Sequence, residues 1–440
     1  MVGYIVSPSD FTVERFIGRG CYSVVYEVRK TGGPDIGSKY ALKRFFLEND
    51  SSVKCVLRER QILERLALAD FQSPFLPMLC YSIWKNCVSA FVLRKGSGCD
   101  LYDLLRHVGC LSETNTRFYI AEIICGLEHL HSMNIVHLDV KPENILFYPD
   151  GHVFVSDLDR SYDISQTARP TLDDFTGTPL FMAPEVARGE VIDMRSDIWS
   201  LGVLTAEMVT GPIRPEAQNT AEEFRRARMG TYSIRGLKRL SKPLQSFFSA
   251  CLQRQHTQRP YLKGVKELRF LKCVDWCKVE SRVLRPPYST SELRHRITKN
   301  NEIPTSSTDI NLLSGAFSSI KPVNFISKKS QKPKASDPIV SIDSFHENIP
   351  LSLIEAGYTK EKLDSLFTSF VFTHPSLRSC SVNAEITDPL SELSLKVGAT
   401  ENECTVSNLH INDAKCMNSE DSFASAPIRR SRTRGTSIGD

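Results

Sequence analysis

Long apolar runs are missing from this 440-residue chain. None reaches the roughly 18 uncharged residues that a membrane-spanning helix needs. The first residues lack the charged, apolar and small-residue order of a signal peptide, so export is not expected. Residue 2 is Val rather than Gly, which removes N-myristoylation. A strong charge bias is missing too. Lys and Arg number 55 against 51 Asp and Glu, a net charge of +4 and too little to draw the chain to nucleic acid. The 13 cysteines lack metal-ligand spacing: Cys273 and Cys277 have no second pair and no nearby histidines. They read as reduced thiols of a protein of the cytoplasm or nucleus. No internal repeat occurs. What is present is 41% hydrophobic and 24% charged residues, enough for a large core in a soluble chain. The length allows about two to three domain-sized units.

The most informative stretch is His137-Leu138-Asp139-Val140-Lys141-Pro142-Glu143-Asn144. It puts a carboxylate, an ammonium and an amide into one short loop. Such a loop can orient a hydroxyl, offset the charge of a transferring phosphoryl group and hold a divalent metal. Further motifs follow a set order around it. Gly18-Arg19-Gly20-Cys21-Tyr22-Ser23-Val24-Val25 follows the β-rich residues 11–17, and its glycines can let backbone N–H groups approach phosphate oxygens. Tyr40-Ala41-Leu42-Lys43 reads as a strand. Arg58-Glu59-Arg60-Gln61 opens a helical pattern. Asp157-Leu158-Asp159, Ala183-Pro184-Glu185, Asp197-Ile198-Trp199 and Arg259 complete the series.

With these motifs in this order the chain resembles a eukaryotic serine/threonine protein kinase. Lys141-Pro142-Glu143-Asn144 and Gly177-Thr178-Pro179 resemble the serine/threonine form. Phe118-Tyr119-Ile120-Ala121-Glu122-Ile123, Asp275-Trp276 and Pro286-Pro287-Tyr288 are similar to the AGC group, to which the ribosomal-protein kinases belong. The resemblance implies an α+β, bilobal fold: a β-rich N-lobe (11–95) with one long helix, and an α-rich C-lobe (96–271). An AGC-like extension (272–375) would follow, with a mobile linker at about 298–345 and a hydrophobic motif at 367–372. Residues 376–440 read as a disordered tail. Periodicity places helices at residues 53–68, 114–132 and 197–210.

The resemblance also implies roles. Lys43, fixed by Glu59, would hold the α- and β-phosphates of ATP. Asn144 and Asp157 would ligate Mg²⁺, with Mn²⁺ as an alternative. Asp139 would orient the substrate hydroxyl, Lys141 would stabilise the transferring group, and Thr178 would tie Asp139 to the substrate loop. Ile17, Gly18, Gly20 and Ser23 would lie over the nucleotide. Val25, Ala41 and Leu146 would sandwich the adenine, Asp100 would reach the ribose, and Glu143 would stand at the same edge. Asp100, Glu143 and Glu207 match acidic positions that receive arginines upstream of a target Ser or Thr. Phe367, Phe370 and Phe372 would dock on the N-lobe of the same chain.

Several residues depart from the family pattern. Ser23 replaces the third glycine, Leu138 an arginine, and Leu158-Asp159 the usual Phe-Gly. Asp174 and Val371 stand where the AGC group carries its two regulatory phosphosites, and Leu138 where the receiving arginine would be. The expectation is an active kinase without the usual two-phosphate switch. The alternative is a pseudokinase scaffold. A small-molecule kinase fits less well, because residues 177–185 suit an extended peptide. In the basic run Arg429-Arg430-Ser431-Arg432-Thr433-Arg434, Arg432 and Arg434 lie five and three residues before Ser437, a candidate for self-phosphorylation; the same run could be a nuclear-localisation or anionic-surface patch.

Overall fold

The computed structural model of the chain describes residues 6–20, 22–85, 87–166, 169–211, 220–231, 234, 236–291 and 349–378. The linker, Cys21 and the tail beyond residue 378 lie outside them. The first lobe is an antiparallel sheet of β1 (Phe11–Arg19), β2 (Ser23–Lys30), β3 (Lys39–Phe45), β4 (Leu79–Lys85) and β5 (Val88–Arg94). Its order is β1-β2-β3-β5-β4, and a late short strand, Phe372–Thr373, adds to the β4 edge. Register places Lys43 between Val25 on β2 and Phe91 on β5.

Helix α1 (Asp50–Leu68) crosses this sheet. It starts three residues before its apolar pattern, because Asn49 and Ser52 cap one another. The Asn49 side chain accepts from Ser52 N at 2.8 Å, and Ser52 Oγ accepts from Asn49 N at 3.0 Å. Its apolar face, including Val53, Val56, Ile62, Leu63 and Leu66, is buried.

The second lobe is built on α2 (Leu101–Val108), α3 (Glu113–Ser132), α4 (Pro184–Ala187), α5 (Arg195–Thr210), α6 (Thr220–Met229), α7 (Lys242–Cys251) and α8 (Leu262–Lys266). Helix α3 is buried over most of its circumference, as its run Tyr119-Ile120-Ala121-Glu122-Ile123-Ile124 requires. A two-stranded sheet joins β6 (Ile135–Val136) to β9 (Tyr162–Asp163), and a hairpin joins β7 (Ile145–Phe147) to β8 (Val153–Val155). Two further short helices are α9 (Trp276–Glu280) and, after the undescribed stretch, α10 (Leu351–Glu355). Then come α11 (Lys360–Leu366), β10 (Phe372–Thr373) and α12 (Pro375–Arg378). The sheet-bearing lobe and the helical lobe together form the bilobal kinase architecture.

Candidate active site

The β7–β8 hairpin assembles the centre. Ile145 pairs with Val155, so Asn144 before β7 and Asp157 after β8 come to the same end of the hairpin. Ser156 N donates to the Asn144 carbonyl at 2.8 Å. The preceding loop is held by one buried carboxylate on α5. Asp197 accepts from His137 N at 2.8 Å, Leu138 N at 2.9 Å and His131 Nε2 at 2.8 Å. These bonds support Leu138 at φ 66°, a left-handed conformation that a leucine rarely adopts. Asp157 is also left-handed, at φ 64°.

Two polar networks result. In the first, Lys43 Nζ donates to Glu59 Oε1 and Oε2 at 2.8 and 2.9 Å and to Asp157 Oδ1 at 2.6 Å. Burial works against the ammonium charge, but Asp157 and Glu59 outweigh it and hold its pKa above the usual lysine range. In the second, Asp139 is gripped at both oxygens. Thr178 N and Oγ1 donate to Oδ1 at 2.9 and 2.8 Å. Lys141 Nζ and Asn144 Nδ2 donate to Oδ2 at 2.6 and 3.1 Å. Lys141 also reaches Thr178 Oγ1 at 2.9 Å. Gly177, at φ 144°, is needed here, since a Cβ would meet the Leu138 carbonyl at 2.8 Å.

The donor set suits a hard divalent cation. Asn144 uses its amide nitrogen on Asp139 O and Oδ2, which leaves its Oδ1 for a metal, and Asp157 adds a carboxylate. Asp159 is a third carboxylate in the neighbourhood, 3.7 Å from Arg160 Nε. Burial and the negative charge of Asp157 push its carboxyl up to about 6.

The remaining sequence-picked residues fall as follows. Ile17 and Gly18 lie on β1, with Gly18 opposite Val25. Gly20 N donates to Ser23 O at 2.8 Å, and a Cβ on Gly20 would strike Ser23 Oγ at 2.8 Å. Ser23 therefore fills the space at this turn. Val25, Ala41 and Leu146 are half-buried. Asp100 forms an isolated antiparallel bridge with Leu146. One Asp100 oxygen caps α2 by accepting from Asp103 N at 2.8 Å. Burial and nearby Asp103 and Glu143 raise its pKa to about 7. Glu143 is exposed, but Glu207 is not: at 4% exposure it lies inside α5. Its burial follows from α5 being a core helix. Below the site, Glu185 and Arg259 form a buried bidentate pair at 2.7 and 2.7 Å.

Two arginines flanking Glu59 escaped the sequence reading. Arg58 donates to Asp174 of the activation segment, the stretch from Asp157 to Glu185, and that carboxylate also accepts from Thr171 N at 2.7 Å and Thr171 Oγ1 at 2.8 Å. Arg60 Nε donates at 2.9 Å both to Ser82 Oγ and to the Phe370 carbonyl. There Phe367 stacks on Trp84 at 4.0 Å and Phe370 on Phe91 at 5.5 Å. The alternation of charged and apolar positions along α1 was the available signal, but it named no partner.

Bilobal architecture, a hairpin-borne Asn-Asp pair and a gripped catalytic-loop aspartate define the protein kinase class. The protein kinase domain family model matches residues 11–271, and the chain belongs to that family. It is 31% identical over 359 residues to ribosomal protein S6 kinase 2 beta of Xenopus laevis, covering 77% of this chain and 55% of that protein. It is 32% identical over 289 residues to ribosomal protein S6 kinase alpha-1 of Homo sapiens, covering 64% and 38%. For ribosomal protein S6 kinase alpha-6 of Danio rerio the identity is 30% over 349 residues, covering 76% and 46%. The chain thus spans roughly half or less of these relatives' length, between 38% and 55%. These relatives place its likeness in the AGC group.

Proposed function

We propose that the chain transfers the γ-phosphoryl group of ATP to Ser and Thr hydroxyls of proteins, preferentially with arginine upstream. The observation that carries this is the Asp139 cluster: one carboxylate oriented by Thr178, Lys141 and Asn144, all within 2.6–3.1 Å. Each Asp139 oxygen already accepts two hydrogen bonds, so a substrate hydroxyl would take the place of one donor, such as Lys141 Nζ, which would then be free to meet the transferring group. Asp139 aligns the hydroxyl oxygen on the γ-phosphorus and takes or relays its proton as the P–O bond to the leaving ADP breaks. Lys141 lies on the same carboxylate, where it can offset charge on the moving group. Lys43, kept cationic and held by Glu59, would grip the α- and β-phosphates. Mg²⁺, or Mn²⁺ in its place, would sit on Asp157 and Asn144 and supply charge neutralisation when bound with the nucleotide. Exposed Glu143 and half-buried Asp100 are the acidic side chains this reading assigns to an upstream arginine.

Regulation by the usual two phosphates is not expected in this reading. Leu138 is buried with Tyr162, Phe181, Met182 and Trp199, so an apolar plug supports the activation segment. Val371 is 45% exposed and carries no phosphate acceptor, and the docking contacts of Phe367, Phe370 and Phe372 do not require one. No described helix is long and apolar enough to cross a membrane. The working site would be cytoplasm or nucleus, and Ser437, outside the described residues, is a candidate for self-phosphorylation.

Phosphate transfer from labelled ATP with Mg²⁺ to an arginine-rich serine peptide tests the proposal. Wild type should transfer, and Asp157→Ala, lacking the metal-facing carboxylate, should lose transfer while staying folded. Folded wild type that binds ATP and transfers nothing would make the scaffold reading correct instead.

A further inference from the structure

We propose that Asp174 and Arg58 form a permanent brace by which the activation segment positions Glu59 on Lys43. The inference rests on the phosphoryl-transfer reading above. Helix α1 has a row of three cations toward the segment and one carboxylate toward the catalytic lysine. Lys54, Arg58 and Arg65 are spaced so that they fall on nearly one line along the helix. Each meets a carboxylate carried by the segment or by β9 at its start. Lys54 Nζ reaches Asp173 at 3.2 Å, Arg58 meets Asp174, and Arg65 Nη1 reaches Asp163 at 2.6 Å.

The three pairs differ in weight. Lys54 and Asp173 have side chains 51% and 69% exposed, so solvent screens them and the pair does little. Arg65 is held at both ends, since Nη2 also donates to the Met133 carbonyl at 2.8 Å, and it ties α1 to the base of β6. Arg58 and Asp174 are 22% and 12% exposed. The Asp174 carboxylate has its other oxygen filled by the N–H and hydroxyl of Thr171. It therefore cannot turn to solvent without losing three donors, and it is fixed as an anchor for the guanidinium.

Arg58 is the immediate neighbour of Glu59. Successive helical positions point about 100° apart, so one rigid turn grips the segment on one side and Lys43 on the other. A cation on the catalytic loop could have shared the load, but Leu138 is buried among apolar side chains there. The link from segment to α1 at this point thus depends on Arg58. Its acidic half is encoded as a carboxylate and needs no modifying enzyme.

The test is a double-mutant cycle in the full chain with Asp174→Asn, Arg58→Met and both together, alongside Arg58→Lys. Asparagine can keep the Thr171 bonds with its one oxygen, while it loses the charge and turns an amide NH2, a donor, toward Arg58. Each of the two neutralising variants should lower kcat by about tenfold or more, as expected when a charge pair that orders a loop is lost. KM for the peptide should change little, because neither side chain faces it. The double variant should be no worse than the worse single, and Arg58→Lys should keep most of the rate. Unchanged kcat in the singles, or losses that multiply in the double, would overturn the brace. Amide exchange over α1 reads the same link without catalysis. It should quicken in Asp174→Asn even if wild type proves unable to transfer phosphate, and unchanged exchange would overturn the brace on its own.

Discussion

Removing the Phe370 ring should detach residues 349–378 from the N-lobe. Phe370 is 2% exposed; it stacks on Phe91 at 5.5 Å and lies 4.9 Å from Phe367. Its carbonyl takes the Arg60 Nε hydrogen at 2.9 Å, and β10 then continues the sheet with Phe372 opposite Ser82. Truncating a buried Phe to Ala costs about 3–5 kcal/mol. Since about 1.4 kcal/mol is a factor of ten, the docking equilibrium should shift by about 10² to 4 × 10³ toward the free segment. The segment can leave as a unit, so most of this loss should appear in docking rather than in lobe stability. Limited proteolysis of the full chain reads it directly: cleavage within residues 349–378 should be much faster in Phe370→Ala than in wild type. Val371→Ala is the control, because Val371 is 45% exposed and should stay within about 0.5 kcal/mol. Equal cleavage rates in Phe370→Ala and wild type would refute the reasoning.

Two further outcomes can be measured by thermal melting. Arg259→Ala should destabilise by about 3–5 kcal/mol, because Glu185 would be left charged and unpaired at 0% exposure. A melting temperature within a degree of wild type would contradict that. Glu27 on β2 governs the acid sensitivity of its links to Arg15 on β1 and to Lys95 after β5. Burial would raise its pKa, but hydrogen bonds from Lys95 and Arg15, each 2.5 Å, reverse this and bring it to about 2. A depressed pKa gives stability that is full above about 4.5 and disappears as pH falls toward 2. The melting-temperature advantage of wild type over Glu27→Gln should therefore hold at neutral pH and shrink below about 4.5; a pH-independent difference would count against the network.

The parts legible in the sequence are those whose chemistry is local. His137 to Asn144 encodes its own loop, because Asp139, Lys141 and Asn144 meet across a few bonds and Asp197 needs only to bind two adjacent N–H groups. The hairpin pairing of Ile145 with Val155 likewise follows from two short apolar runs around a turn at Asp150-Gly151. Such features survive reading without a partner. The burial of Glu207 is not of this kind: nothing local to it says that its side of α5 is covered.

What stayed hidden are pairings between residues far apart along the chain. Arg58 and Asp174 are 116 positions apart, and Arg60 and Phe370 310. Nothing local to either partner names the other. Leu138 shows the same point from the opposite side. Read alone, it is a missing cation and argues for a damaged site. Set among Tyr162, Phe181, Met182 and Trp199 it is an apolar residue in an apolar place. If the brace of Arg58 on Asp174 holds, Leu138 and Asp174 belong together: the segment would carry its own fixed charge, and the loop of Leu138 would need no group to receive a phosphate.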